Sequence, residues 1–410
     1  MATILIPDYL GQHVRAGIRA LVRGGDTCDL AWAVCRVKSA YVRDFHLIVA
    51  SEVDDRQYVS DVVALCHDKG YDMILPFGNA SYYALAKHRD VLIANDIRCM
   101  VPDFATFRVA HDKYQTMELC RRIGVRTPEL FTEYAENDIH AIASHLRYPV
   151  VVKAKSGVGV FTGLRYANNK EELIQSYEEI SSYHARTGAS DFDSPMIQEF
   201  IPGFINDACT VTDQGRVVAV LTQQRHIMFP IYGGVGAVNV TTHNPALGGL
   251  AREILEELEW HGPAQIEFKY DPRDHEYKLI EINPKLWGTL DLSIQVGYNF
   301  PRMIRNLLLG EKVDVPKHYP SGVRYKFWLS QAVLAYLQLA RGFGLRELFD
   351  LTHYRKTYND LDARDGLYEL YRGYLTLREL MSGRHRSPNA NISKRYINRV
   401  NSGHSEDKTH

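Results

Sequence analysis

Short apolar runs alternate with helical spacing through the first hundred residues of the chain. Thr3–Pro7 reads as a strand closed by Pro7, and Gln12–Arg23 carries apolar positions at helical spacing with Gly24-Gly25 to stop it. Asp29–Cys35, His46–Ala50 and Met73–Pro76 read as further strands, with a helix over Asp55–Lys69. This strand–helix rhythm predicts a small parallel α/β sheet. The turn after the first strand, Asp8-Tyr9-Leu10-Gly11, offers one glycine where a dinucleotide-binding turn uses three. The unit is therefore not expected to hold a nucleotide by itself.

Phe104–Ile123 reads as one long amphipathic helix, closed by Gly124 and followed by Thr127-Pro128. From Tyr148 to Asn283 the pattern turns to strands and hairpins, interrupted by helices over Lys170–Tyr183 and Gly249–Leu258, an α+β texture. After Gly310 the chain reads as helical and rich in Tyr, Arg and Leu. It ends in a polar stretch, about 382–410, with too little apolar content to fold alone. Within the helical part Trp328, Tyr336, Tyr354, Tyr358, Tyr368, Tyr371 and Tyr374 are interleaved with arginines. A Tyr/Leu stripe at helical spacing reads first as packing, with a substrate wall or a dimer face as alternatives.

Composition narrows the class. The 410 residues are 45% hydrophobic, enough for two or three domains with real cores. A formal net charge of −1 points away from nucleic acid and from anionic membrane surfaces. Six scattered cysteines form no CxxC pair and no Cys/His ligand spacing, so they read as core thiols in a reducing compartment. Met1–Gly11 lacks a basic segment ahead of a long apolar one, and no apolar run reaches the roughly 18 residues a membrane span needs. The expectation is a cytoplasmic protein without a membrane span.

Two segments carry candidate chemistry. Val150–Lys155 is a buried-strand run with lysines at 153 and 155, leading into Ser156-Gly157-Val158-Gly159-Val160-Phe161-Thr162-Gly163. Glycines let backbone N–H groups close on phosphate oxygens, and the lysines supply charge. Leu164–Ala167 then returns as a strand, whereas a P-loop would run straight into a helix. Strand, glycine loop, strand describes a hairpin lid over phosphates. A commonplace glycine-rich hairpin has the same outline.

The second segment is an acidic hairpin, Gln265–Tyr270 and Tyr277–Lys285, with a turn at Asp271–Glu276. Strict alternation puts Glu267 and Lys269 on one face of the first strand, and Leu279, Glu281 and Asn283 on one face of the second. In a suitable register Glu267 lies beside Glu281 and Asn283. Two carboxylates and an amide make an oxygen-only set, which suits magnesium keeping waters and substrate phosphates as further ligands. A solvated face of alternating charge is the rival reading.

Taken in order, AHDKYQTMELCRRIGVRTPE, YPVVVKAKSGVGVFTG, MIQEFIPG and IEFKYDPRDHEYKLIEINPKLWGTLDLSIQVGYNFP resemble the ATP-grasp superfamily, closest to its carboxylate–amine (carboxylate–thiol/amine) ligase branch. MILPFGNASYYALAKHRDVL resembles the domain that precedes the nucleotide site in that branch. The resemblance covers roughly Met1–Glu311. It implies an α/β and α+β fold. A Rossmann-like pre-ATP-grasp domain spans 1–105, and a two-lobed ATP-grasp domain spans 106–200 and 201–315. A helical extension over 316–381 and a polar tail over 382–410 follow.

The resemblance also implies roles. Lys113 and Lys153 match the lysines that reach the nucleotide phosphates, and 156–163 matches the lid. Gln198-Glu199-Phe200-Ile201 matches the adenine hinge. There the Glu199 carboxylate would take the amino group and the Ile201 backbone the ring nitrogen, with Asp207 near the ribose. Glu267, Glu281 and Asn283 match ligands of magnesium, for which manganese can substitute. Arg225 and Lys285 face the reaction centre as catalytic cations. Relatives usually carry arginine at the position of Lys285, and lysine keeps the charge without the bidentate fork.

The implied activity joins a small-molecule or peptide carboxylate to an amine through an acyl-phosphate, consuming ATP and releasing ADP and phosphate. A homodimer is implied as well. An ATP-grasp kinase or carboxylase, and a nucleotide-sensing module without turnover, are the alternatives.

Overall fold

The computed structural model describes residues 1–131, 139–156, 163–187, 194–229, 234–329 and 357–382. Near the N-terminus β1 (Thr3–Ile6), α1 (Gln12–Arg23), β2 (Thr27–Trp32), β3 (Phe45–Leu47), α2 (Asp55–Lys69) and β4 (Met73–Ile74) follow one another. They build a sheet of order β3-β2-β1-β4, parallel throughout. The two helices have the bounds their periodicity predicts. Asp54 caps α2 by accepting from the Gln57 N–H, and Gly70 ends it at φ 67°, a conformation glycine adopts without penalty. The strands are shorter than their apolar runs, because β1 ends before Pro7 and β4 before Leu75.

After α3 (Asn79–Lys87) and α4 (Arg89–Ala94) comes a correction to the sequence reading. The single helix expected over Phe104–Ile123 is two, α5 (Phe104–His111) and α6 (Lys113–Ile123). Asp112 breaks them apart: its backbone is extended (φ −90°, ψ 116°), and its side chain accepts from the Gln115 N–H at 3.0 Å. The break makes Lys113 the first residue of α6, and its N–H donates to the Lys155 carbonyl at 2.9 Å.

Beyond α7 (Ile139–Ala143), strands β5 (Val150–Lys153), β6 (Leu164–Ala167) and β7 (Met196–Glu199) form a three-stranded sheet of order β6-β5-β7, covered by α8 (Lys170–Thr187). The large, seven-stranded sheet has order β12-β11-β8-β9-β10-β13-β14. It is built from β8 (Ile205–Asp213), β9 (Arg216–Phe229), β10 (Val235–Thr242), β11 (Gly262–Asp271), β12 (Glu276–Asn283), β13 (Arg324–Lys326) and β14 (Thr357–Asn359). Helix α9 (Pro245–Glu257) packs on one face. Its core is continuous with that of the first sheet: Leu5, Ile74 and Phe107 belong to one buried cluster with Ile266, Phe268 and Leu279. Apolar burial thus fixes the two sheets to each other.

The C-terminal part adds α10 (Leu290–Gln295), α11 (Phe300–Leu308) and α12 (Gly366–Ser382). The stretch that reads as helical also supplies β13 and β14 to the large sheet. Helix α12, the segment before it and α10 are joined to α1 by ion pairs invisible in the local pattern. Arg15 pairs with Glu369 at 2.7 Å, and Arg19 pairs with Asp291 at 2.5 Å and Asp362 at 3.3 Å. Both arginines are almost fully buried. Among the described residues no helix is long and apolar enough to cross a membrane.

The cap at Asp112 is testable. Asp112→Ala removes the acceptor for an otherwise unpaired N–H and is expected to cost about 1 kcal/mol. Asp112→Asn should keep most of that. Urea unfolding of the two variants against the parent measures both.

Candidate active site

The acidic hairpin sets the geometry. Strands β11 and β12 pair with Gln265 opposite Asn283 and Glu267 opposite Glu281, so two carboxylates face each other across one rung. The register then shifts: Phe268 lies opposite Leu279, leaving Ile280 as the extra residue of a bulge. Strict alternation had put Leu279 on the Glu281 face. The bulge sends Leu279 instead into the core beside Phe268, fully buried, while Glu281 stays on the site face. It also gives the Ile280 carbonyl to the Lys153 Nζ, at 3.3 Å.

Opposed carboxylates on neighbouring strands repel, and the fold surrounds them with cations. Lys113, first residue of α6, places its Nζ 3.2 Å from Glu281 Oε2. Arg225 on β9 donates to Glu267, and reaches Asp207 on β8 at 3.0 Å and 3.2 Å. Burial alone would raise the Glu281 carboxyl. Lys113 and Lys153 outweigh it and hold Glu281 down at about 2. For Glu267 burial wins: together with the charges of Glu281 and Asp207 it pushes the carboxyl up to about 7 against the pull of Arg225. Burial, with the nearby Lys113 charge, brings the Lys153 ammonium down to about 7, although Glu281 and Glu267 oppose the shift.

This donor set fits a divalent cation. Asn283 Nδ2 donates to Glu267 Oε1 at 2.7 Å, and turning that amide over would present its oxygen on the same side. Among the described residues no group of three or more His, Cys, Asp or Glu side chains gathers for a metal. Two carboxylates and one amide are the sparse oxygen set that leaves coordination places for water and phosphate, as magnesium prefers.

A cavity of about 780 Å³ opens beside this cluster, lined by Lys113, Arg225, Glu267, Glu281, Asn283 and Lys285 among others. Burial lowers the Lys285 ammonium, opposed by Asp8, Glu281 and Glu267. Asp8, at the end of β1, accepts from the N–H groups of Phe77 and Gly78 and from the Ser81 hydroxyl. Burial pushes its carboxyl up to about 6 against those bonds and against the Lys285 charge. Sequence reasoning did not single out Asp8, whose one signal is its place directly after the first parallel strand, where α/β pockets form.

The remaining candidates divide. Lys155 supplies the carbonyl that receives the Lys113 N–H, and Ser156 is buried beside it. Gly163 is buried and accepts from the Ala154 N–H at 2.9 Å, which closes the base of the β5–β6 hairpin. Gly157 and Gly159, the centre of the expected lid, lie outside the described residues.

At the expected hinge the Glu199 carboxylate is engaged elsewhere, by Arg273 at 2.5 Å, Lys278 at 3.6 Å and the Glu129 N–H at 3.2 Å. Ile201 is buried, and its carbonyl accepts from Lys269 Nζ at 2.9 Å; the same Nζ lies 5.3 Å from the Phe200 ring centre. Burial lowers the Lys269 ammonium to about 8. Its position on the Glu267 face was readable, its contact with the hinge was not. Asp207, expected near the ribose, is fully buried and bonded to Arg225 and to Gln223 at 2.9 Å. That position orients Arg225.

The aromatic stripe also divides. Tyr368 and Tyr371 line the cavity, Tyr374 is exposed, and Tyr336 and Tyr354 lie outside the described residues.

Comparison with known proteins finds similarity to ATP-grasp proteins. A family described as ATP-grasp in the biosynthetic pathway with Ter operon matches residues 192–330, and the carbamoyl-phosphate synthase L chain ATP-binding domain matches residues 112–224. The D-aspartate ligase of Enterococcus faecium (strain Aus0004) is 22% identical over 281 residues, 66% of each chain. The chain spans only about a quarter of the carbamoyl phosphate synthase large chains it also matches. Among solved structures, a biotin carboxylase–ATP-analogue complex from Campylobacter jejuni superposes with a TM-score of 0.64 at 16% identity, covering 79% of this chain and 74% of that one. An L-amino acid ligase from Bacillus licheniformis superposes with a TM-score of 0.58 at 17% identity, covering 75% and 74%.

Removing Arg225 tests the electrostatics. Arg225→Met leaves Asp207 and Glu267 buried without their cation and is expected to destabilise the fold by about 3–5 kcal/mol. Glu267 already binds a proton in the folded state up to about pH 7, against 4.5 ordinarily, so its favourable contribution is complete below about 4.5 and is lost as the pH rises toward 7. The deficit of the variant should therefore be smaller at pH 5 than at pH 8, read from thermal melts of parent and variant at both.

Proposed function

The chain is a member of the ATP-grasp superfamily, and from that premise we propose that it is an ATP-dependent ligase joining a carboxylate to an amine through an acyl-phosphate. The observation that carries the reading is the opposed pair Glu267–Glu281, with Lys113 and Lys153 beside it, lining a cavity that Arg225 and Lys285 also line. Similarity to a D-aspartate ligase over 66% of both chains supports the ligase reading.

In this reading Lys113 and Lys153 hold the triphosphate, Lys153 from the base of the β5–β6 hairpin and Lys113 from the first turn of α6, where the helix dipole favours an anion. Glu267, Glu281 and Asn283 would hold magnesium, which when bound offsets phosphate charge. The backbone around Ile201 takes the adenine, and Lys269 fixes that backbone by bonding its carbonyl.

The substrate carboxylate lies in the cavity between Arg225 and Lys285. One of its oxygens attacks the γ-phosphorus, and the bond to the β-phosphate bridge oxygen breaks to release ADP. Arg225 and Lys285 offset the charge on the resulting acyl-phosphate. The amine then attacks the carbonyl carbon. The C–O bond to phosphate breaks with its electron pair, phosphate leaves, and the amine proton passes to solvent. Asp207 holds the Arg225 guanidinium in position throughout, and Asp8 does the same electrostatically for Lys285.

ADP release with Mg-ATP, measured against pooled carboxylates crossed with pooled amines, tests the reading. The expected result is stimulation that needs both pools and a product mass equal to the two substrates less water. Stimulation by one pool alone with a phosphorylated or carboxylated product contradicts it. Glu281→Gln should lower that rate at least about 100-fold with the parent's circular dichroism, since it removes one of two carboxylates facing the phosphates. Parent-level turnover in this variant would sink the assignment of Glu281.

A further inference from the structure

The cavity has two kinds of wall. Most of its ionic groups come from β9, β11, the end of β12 with Lys285 just beyond it, and the start of α6, with Arg36 and Arg372 as further cations. Much of its apolar surface comes from the segment after β1, from the end of β2, and from α12. On α12 the lining residues Tyr368, Tyr371 and Leu375 recur at i, i+3 and i+7, one face of the helix. Tyr9, Trp32 and Val34 line the same cavity. Tyr9 is 52% exposed and Val34 54%, so this apolar surface is still open to water and gains by being covered.

The wall on α12 is held rigidly. The Arg15 guanidinium lies 4.7 Å from the centre of the Tyr368 ring and pairs with Glu369 at 2.7 Å. The Tyr368 hydroxyl donates to the Leu10 carbonyl at 3.1 Å. Arg372, the next lining residue of that face, pairs with Asp360 and with Glu369 at 2.8 Å. Arg15, Arg372 and Asp360 are all almost completely buried. A buried ionic frame is a poor way to gain stability, but it fixes one geometry for the helix it anchors.

Resting on the ligase reading of this site, we propose that α12 is the selectivity wall of the acceptor pocket. The carboxylate substrate carries an aromatic or large aliphatic group that packs against Tyr371 and Leu375 on one side and Tyr9, Trp32 and Val34 on the other. Its carboxylate meets Arg225 and Lys285 in the same cavity. Arg15 is a positioning residue for that wall, acting through Tyr368 and Glu369. Bicarbonate, or an acid as small as acetate, would leave the apolar surface uncovered.

Calorimetric binding on the full chain, saturated with a non-hydrolysable ATP analogue and magnesium, tests this without turnover. The probes are alanine, leucine and phenylalanine, together with propanoate, 4-methylpentanoate and 3-phenylpropanoate. The expected result is at least about tenfold tighter binding of the large members than of the small ones in one or both series, the scale on which apolar pockets discriminate. Leu375→Trp, which fills the wall, should cut binding of the large members at least about tenfold, and Tyr371→Ala should narrow the gap between large and small. Both variants should keep the parent's affinity for the ATP analogue, which confirms that they are folded.

Equal binding of large and small members by the parent, or an unchanged ranking in both variants, overturns the proposal. If the large acids bind in the expected order yet no amine elicits ADP release, the wall stands and the ligase reading fails. If small acids turn over while the large ones do not bind, the ligase reading stands and the wall fails.

Discussion

Two carboxylates facing each other across one rung of a hairpin are an unfavourable arrangement, and much of the structure around Glu267 and Glu281 answers it. Like charges at that separation drive one of the pair toward the protonated form unless cations intervene. The cations come from elements far apart in sequence: Lys113 from α6, Lys153 from β5, Arg225 from β9. Each has a local device that delivers it. Asp112 starts α6 at Lys113, the bulge at Ile280 offers Lys153 a carbonyl, and Asp207 clamps Arg225. A triphosphate with a divalent cation completes such a charge set, which is why the arrangement reads as a nucleotide-phosphate site.

The same logic extends to the C-terminal part of the chain. Arg15 and Arg19 on α1 are buried and find their acids on Asp291, Asp362 and Glu369, hundreds of residues later. These pairs tie α12, the segment before it and α10 to α1, and α1 begins just after the turn that contributes Tyr9 and Leu10 to the cavity. The segment after the first strand of the N-terminal sheet thereby becomes one wall of the cavity, with α12 as another.

Much of this was legible in the sequence. The bounds of α1 and α2 follow from apolar spacing and stop signals, and the site hairpin was identified down to Glu267, Glu281 and Asn283. What escaped depended on partners. The break at Asp112 is hidden because the apolar period runs on through both helices, and only the capping bond marks it. The bulge at Ile280 inverts Leu279, and nothing in Tyr277–Asn283 signals an extra residue. The ion pairs of Glu199 with Arg273 and of Asp207 with Arg225 join residues far apart in sequence and exist only after folding. The tyrosine stripe reads as packing because periodicity tells which residues share a face and not what that face meets.

The central claim is that the γ-phosphoryl group of ATP is transferred to a carboxylate oxygen. Its most direct measurement is isotope transfer: carboxylates labelled with oxygen-18 are incubated with the protein, Mg-ATP and hydroxylamine as a general amine, and the released phosphate is weighed by mass spectrometry. The account predicts hydroxamate formation with one labelled oxygen carried into each phosphate released with it. Hydroxamate or ADP forming while the phosphate stays unlabelled would contradict an acyl-phosphate and the mechanism built on it.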